Sequence, residues 1–177
     1  MIQILDKKFD IYLPAEKILA RIAEMAQEID QAYAGKDLVF ISVLNGSFMF
    51  ASDLMKKVSL ACEISFVKVS SYKGMNSSGR VDELIGLNTD IKDKHVIILE
   101  DIVDTGITMN KIYSYLDSYS PASIQITSLL YKPDAFNGKH APDLIGFSIP
   151  NDFVVGYGLD YDEKGRNFES IYKLIES

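Results

Sequence analysis

The chain has 177 residues, of which 47% are hydrophobic and 24% charged, enough apolar material for one domain with its own core. A formal net charge of −7, with no Lys/Arg run, argues against a nucleic-acid or anionic-membrane partner, since either needs a basic face. The single cysteine, Cys62, allows no internal disulfide, no apolar run approaches the roughly 18 residues of a membrane span, and MIQILDKKFD lacks the regions of a signal peptide, so a cytoplasmic location is expected.

In chain order, Leu13-Pro14-Ala15-Glu16 marks a helix start, because proline is tolerated in a first turn and an acidic residue suits the positive end of the dipole. Ile18, Ile22, Met25, Ile29 and Tyr33 recur at helical spacing behind it, and Gly35 ends the run. Leu38 to Leu44 (LVFISVL) reads as a buried strand, broken by Asn45-Gly46-Ser47. Phe48, Ala51, Met55 and Val58 form the next helical stripe, and Leu60 to Val69 the next strand. The stretch from Ser70 to Glu83 is rich in Gly, Ser and Asn and lacks an apolar period, which predicts a functional or disordered loop.

Val96 to Leu99 is the following strand, with Met109, Ile112, Leu116 and Tyr119 on the helix after it. Ala122 to Leu130 and Leu144 to Ile149 are further strands, and Phe153 to Leu159 is a third candidate. This alternation predicts an α/β fold, a mostly parallel twisted sheet flanked by helices. One domain is expected, with a core of about 36–130 and a small hood lobe from about 1–12 and 131–177; the N-terminal helix also falls outside the alternating core. In such sheets ligands bind beyond the carboxyl ends of the strands, where Asn45-Gly46-Ser47 and Glu100 to Thr108 fall.

The second break carries the chemistry. In VIILEDIVDTGITM, Glu100 and Asp101 close a strand, Asp104 follows, and Thr105-Gly106-Ile107-Thr108 opens a helix. Backbone N–H groups at a helix start and two hydroxyls suit a phosphate monoester, yet the Gly-Lys-Ser/Thr of a Walker loop is missing. Carboxylates beside a phosphate site repel it unless they hold a metal, accept from sugar hydroxyls or take a proton; a sugar phosphate satisfies all of this. A solvated acidic strand end before an ordinary capping turn, or a receiver-type cluster of acids, explains the same spacing.

The segment VIILEDIVDTGITM closely resembles the phosphoribosyl-diphosphate motif of type I phosphoribosyltransferases. VLNGSFMFASDL, SSYKGMNSSG, LLYKP and DFVVGYGLDYDEKGRN resemble, in order, the first active-site loop, the mobile lid, the base-reading segment and the C-terminal hood of the 6-oxopurine (hypoxanthine-guanine) branch. The resemblance implies transfer of a phosphoribosyl group from phosphoribosyl diphosphate to hypoxanthine or guanine, with Mg²⁺ as cofactor and a homodimer or homotetramer as the assembly. It implies that Glu100 and Asp101 hold the ribose hydroxyls and contribute with Asp160 to the metal site. Asp104 is then the general acid–base at purine N7, and Thr105, Gly106, Ile107 and Thr108 bind the 5′-phosphate.

Lys132 would donate to the purine O6, Phe153 would stack on the base, Val154 would offer backbone groups to its edge, and Arg166 would clamp pyrophosphate. Asn45, Gly46 and Ser47 would meet the pyrophosphate through backbone groups, with a cis peptide expected at Asn45–Gly46, and Ser71 and Tyr72 would close over it. Many members carry lysine where this chain has Asn45, which removes a positive side chain and keeps the backbone contribution. His95 and His140 have no partners at metal-ligand spacing. Two competing readings share the fold: a regulatory protein, which needs a basic surface and can dispense with the base-reading hood, and an enzyme acting on a pyrimidine or adenine, against which Lys132 and the Phe153-Val154 hood argue.

Overall fold

The computed structural model describes residues 1–69 and 84–175. The chain forms β1 (Ile2–Ile4), β2 (Lys7–Leu13), α1 (Ala15–Ala32), β3 (Leu38–Leu44), α2 (Phe48–Met55) and β4 (Glu63–Val69) in its first part. There follow β5 (Leu84–Ile85), β6 (His95–Val103), α3 (Ile107–Asp117), β7 (Ser123–Tyr131), β8 (Leu144–Ser148), β9 (Val154–Val155) and β10 (Ile171–Leu174). The expected parallel α/β sheet is present: six strands in the order β5-β4-β3-β6-β7-β8, parallel throughout except for β5 against β4.

β3 is almost wholly buried because it lies between β4 and β6, with helices above and below, which is why its sequence runs apolar without alternation. On one face, α1 and α2 bring Ile22, Met25, Phe50 and Leu54 against Phe40, Ile97, Leu99 and Leu129. On the other, α3 packs Met109, Ile112 and Leu116 on Ile41, Ile98 and Ile126. Strand order reverses between β3 and β6: α2 leads from β3 outward to β4, and α3 leads from β6 outward to β7. The carboxyl ends of β3 and β6 therefore flank the crevice where open α/β sheets bind ligands.

The chain ends build a second sheet, in the order β1-β2-β10-β9, all antiparallel. Ile4, Phe9 and Val155 form its small core. The helix α1 does not join this second sheet. It lies on the large one, and Arg21 donates to the carbonyls of Ile145 and Gly146 at the edge strand β8.

Several sequence expectations need correction. β6 continues to Val103, four residues beyond the expected Leu99, because it keeps pairing with β7 through Val103 opposite Tyr131. Of the expected 153–159 strand only Val154–Val155 join the sheet, since Gly156, Tyr157 and Gly158 take positive φ and turn the chain into an isolated bridge between Gly156 and Leu159. In α2 the buried residues are Phe50, Ala51 and Leu54, while Phe48 is exposed; FMFASDLM is apolar on nearly every side, so its period cannot select a face. Tyr119 lies beyond the end of α3 and is exposed.

Candidate active site

The carboxyl half of β6 presents the acidic residues. Glu100 lines the cleft side, with Ile102, Asp104, Thr105, Gly106 and Thr108 around a hollow of ≈ 90 Å³. A larger cleft of ≈ 400 Å³ adjoins it, lined by Leu44, Val69, Glu100, Thr108 and Lys111. The Asp101 carboxyl meets that of Glu100 and also lies against Gly46: a Cβ at Gly46 would overlap the Asp101 carboxylate. Glycine is required at position 46 for this close approach.

Both carboxyls are 8% exposed. Burial, then the neighbouring Asp101 charge, pushes Glu100 well above its usual range. Burial also raises Asp101, against the opposing pull of its hydrogen bond with Glu100, then of the Ile102 N–H and the Arg166 charge. Two buried acids with upward shifts form a site that gains from cations or hydroxyl donors.

Asp104 stands on the turn after β6, half exposed, and Lys132 on the turn after the neighbouring strand β7. Parallel pairing of these strands brings the two turns together, and Lys132 Nζ donates to Asp104 Oδ2 at 3.2 Å. Lys132 is only 7% exposed, which removes it from the class of solvated surface lysines.

Gly106 takes φ 81° at the N-cap of α3. A Cβ there would meet the Phe136 ring, so both backbone angle and space call for glycine. Without a capping side chain at Gly106, the first N–H groups of α3 are left for an outside acceptor, and the Thr105 hydroxyl makes only a long 3.5 Å contact with the Ile107 N–H. Ile107 and Thr108 are exposed at this turn. The turn is buttressed from below, where the Asn137 N–H donates to the Thr105 carbonyl and Asn110 Oδ1 accepts from the N–H groups of Lys139 and His140.

Across the crevice, Phe153 is 46% exposed and held edge-on by Tyr161, with Phe9 behind both. Val154 is buried and paired with Lys173. Arg166 is anchored by Asp160 at 2.7 Å and donates to the Gly158 carbonyl at 2.8 Å. Asp160 Oδ2 also accepts from the Glu163 N–H.

In the first loop the cis bond is Leu44–Asn45, one peptide before the expected Asn45–Gly46; neither precedes proline, so nothing local in the sequence separates the two. Ser47 also departs from expectation. Its N–H donates to the Val43 carbonyl, and its buried hydroxyl bonds Ser42, so it is committed to the fold, while Asn45 is exposed and Gly46 stands beside it. Ser71 and Tyr72 lie outside the described residues. Sequence reasoning missed Lys111, which helical spacing from Thr108 places on the cleft, and it missed Tyr157 and Asp53, whose partnership spans 104 residues.

His95 and His140 keep structural places. His95 Nδ1 bonds the Ser123 hydroxyl, and His140 stacks on Tyr113 at 3.8 Å. Among the described residues no three His, Cys, Asp or Glu side chains converge as a closed metal cage, and no helix is long and apolar enough to cross a membrane.

Residues 9–162 match the phosphoribosyl transferase domain. The chain belongs to the phosphoribosyl transferase family. It is 41% identical over 169 residues to hypoxanthine phosphoribosyltransferase of Escherichia coli strain K12, covering 94% of this chain and 95% of that protein. It is 44% identical over 172 residues to hypoxanthine-guanine phosphoribosyltransferase of Mycobacterium avium, covering 93% and 84%. A crystal structure of a hypoxanthine phosphoribosyltransferase from Staphylococcus aureus superposes with a TM-score of 0.86 at 37% identity, covering 99% of this chain and 98% of that one. The parallel sheet and the acidic strand end of this phosphoribosyl transferase are thus those of an enzyme fold, which excludes the receiver-type reading of the carboxylates.

Proposed function

We propose that this phosphoribosyl transferase is a purine-salvage enzyme that joins hypoxanthine or guanine to 5-phosphoribosyl 1-diphosphate, giving IMP or GMP and pyrophosphate. The observation that carries this reading is the Lys132–Asp104 pair at 3.2 Å. A 6-oxopurine presents O6 and N7 side by side on one edge. An ammonium donor beside a carboxylate acceptor complements that edge: Lys132 donates to O6 while Asp104 takes or holds the N7 proton. The amino group of adenine would meet Lys132 donor to donor, which disfavours it.

In this assignment Phe153 stacks on the base, with its orientation set by Tyr161 and Phe9, and Val154 offers its backbone to the base edge. The Thr105–Thr108 turn takes the 5′-phosphate on the free N–H groups of α3. Glu100 and Asp101 accept from the ribose hydroxyls. Arg166 meets the leaving pyrophosphate with a planar fork that Asp160 and Gly158 hold in place, and the Gly46 backbone approaches it from the first loop. Ser71 and Tyr72 are assigned to closure over the same group.

Mg²⁺ suits the oxygen donors available here. Asp160 on the hood, with Glu100 and Asp101 on β6, would hold it through few direct contacts, leaving room for water and diphosphate oxygens, as an ion that dehydrates reluctantly requires. When bound it supplies charge stabilisation for the departing pyrophosphate. A homodimer or homotetramer acting in the cytoplasm, as one structural domain with a hood from both chain ends, completes this reading.

Purified protein with Mg²⁺, phosphoribosyl diphosphate and hypoxanthine is expected to form inosine monophosphate, followed by the change in purine absorbance. Reaction with adenine or uracil in place of both oxopurines would overturn the substrate assignment. Asp104→Asn is expected to lower kcat by roughly two to four orders of magnitude, since it removes the proton acceptor and leaves the shape.

A further inference from the structure

The small sheet must be held at a fixed distance from the first loop for Arg166 and Gly46 to face one ligand. Two contacts bridge that gap, and one more seats the loop on β6. Gly158 lies directly on the Gly46 carbonyl, so closely that a Cβ at Gly158 would overlap it. Gly46 in turn lies on Asp101. The second bridging contact is a side-chain bond: Tyr157 Oη donates to Asp53 Oδ2 at 2.6 Å.

Tyr157 is unusually placed for such a bond. It sits between Gly156 and Gly158 with φ 51°, and it is 2% exposed. Its ring packs into the cluster of the large sheet, not into the small one. Its N–H donates to the Phe168 carbonyl, and the next N–H, from Gly158, donates to the Arg166 carbonyl. The tyrosine is therefore built into the same turn that carries Arg166. Asp53 belongs to α2, the helix that begins directly after Asn45-Gly46-Ser47. Lys56 pairs with its other oxygen at 2.5 Å, so both carboxylate oxygens are held.

We propose that Tyr157 and Asp53 are positioning residues that set the spacing between the Arg166-bearing turn and the Gly46 loop, and thereby the affinity of the pyrophosphate end of the site. This rests on the phosphoribosyl-diphosphate reading above. Neither side chain touches the ligand; both act through Gly46, Gly158 and Arg166. The distinguishing consequence is a split between ligands. Phosphoribosyl diphosphate uses the gap, whereas a purine nucleoside monophosphate uses the Thr105–Thr108 turn, Lys132 and Phe153.

The test is direct binding, by calorimetry with Mg²⁺, to wild type, Tyr157→Phe, Asp53→Ala and Asp53→Asn. Tyr157→Phe removes one hydroxyl and keeps the ring. It is expected to weaken phosphoribosyl diphosphate about tenfold, the scale of one hydrogen bond to a charged group, while the Kd for inosine monophosphate stays within about twofold. Asp53→Ala should match it, the double variant Tyr157→Phe with Asp53→Ala should be no worse than either, and Asp53→Asn, which keeps an acceptor oxygen, should recover most of the affinity. Unchanged affinity for phosphoribosyl diphosphate in both Tyr157→Phe and Asp53→Ala, or equal weakening of both ligands, overturns the proposal. Should Tyr157→Phe fail to fold, the Asp53→Ala and Asp53→Asn pair decides alone. Wild-type protein that binds neither ligand would refute the underlying functional reading instead.

Discussion

Glu100 shows what a ligand site costs the fold that carries it. Its carboxyl is buried against Asp101, so its folded-state pKa lies well above the ordinary value of 4.5. A group raised in this way contributes stability that is full below the unfolded pKa and is lost as pH rises through the folded one. At neutral pH the ionised form is therefore a net burden on the ligand-free protein. Glu100→Gln is expected to raise the ligand-free Tm at neutral pH by about 3 °C, a gain that disappears below about pH 4.5, and to weaken sugar-phosphate binding. Thermal melts across this pH range check the sign; a variant that melts lower than wild type at neutral pH would contradict it. The type of residue at position 100 was legible in the sequence, as was its place beside Asp104 and the glycine turn. Its burial was not, because a strand-end acid reads as solvated until neighbouring strands enclose it.

At the scale of elements, the loops that follow β3, β6 and β7 meet because those strands are adjacent and parallel. LVFISVL was readable as β3 to the residue, since a strand buried on both faces runs apolar with no polar alternation, Ser42 alone excepted. The helix α3 was equally plain from Met109, Ile112 and Leu116. The face of α2 was not, and nor was the identity of the cis peptide beside it. That loop tolerates little change, because Asp101 fills the space where a side chain at Gly46 would go. Gly46→Ala should displace the Asp101 carboxylate and lower kcat/KM by about a hundredfold with a far smaller fall in Tm, since sub-ångström placement governs the reaction more than it governs the core. Steady-state kinetics beside a melt of the same sample decides this: wild-type kinetics would show that the loop yields freely.

Over the whole molecule, two sheets of unequal strength make up the fold. The large sheet is sealed on both faces by helices, whereas Ile4, Phe9 and Val155 hold a sheet whose strands are as short as two residues. Local opening follows the density of such buried contacts. Hydrogen exchange should therefore be faster at Val154, Tyr172 and Lys173 than along β3 and β6, and it should slow at the first group when nucleotide is added. Uniform protection of both sheets without ligand would refute this. By itself the sequence determined the parallel α/β core, the acidic strand end with its phosphate turn, and the residues that resemble a 6-oxopurine site, because these are local patterns of period, charge and spacing. Only the tertiary structure decided that β2 pairs with β10, that Lys132 lies on Asp104, that Glu100 and Asp101 are buried with their carboxyls in contact, and that Tyr157 reaches Asp53. Each of these joins or orients groups through the packing of distant strands, and no local window of the chain carries that information.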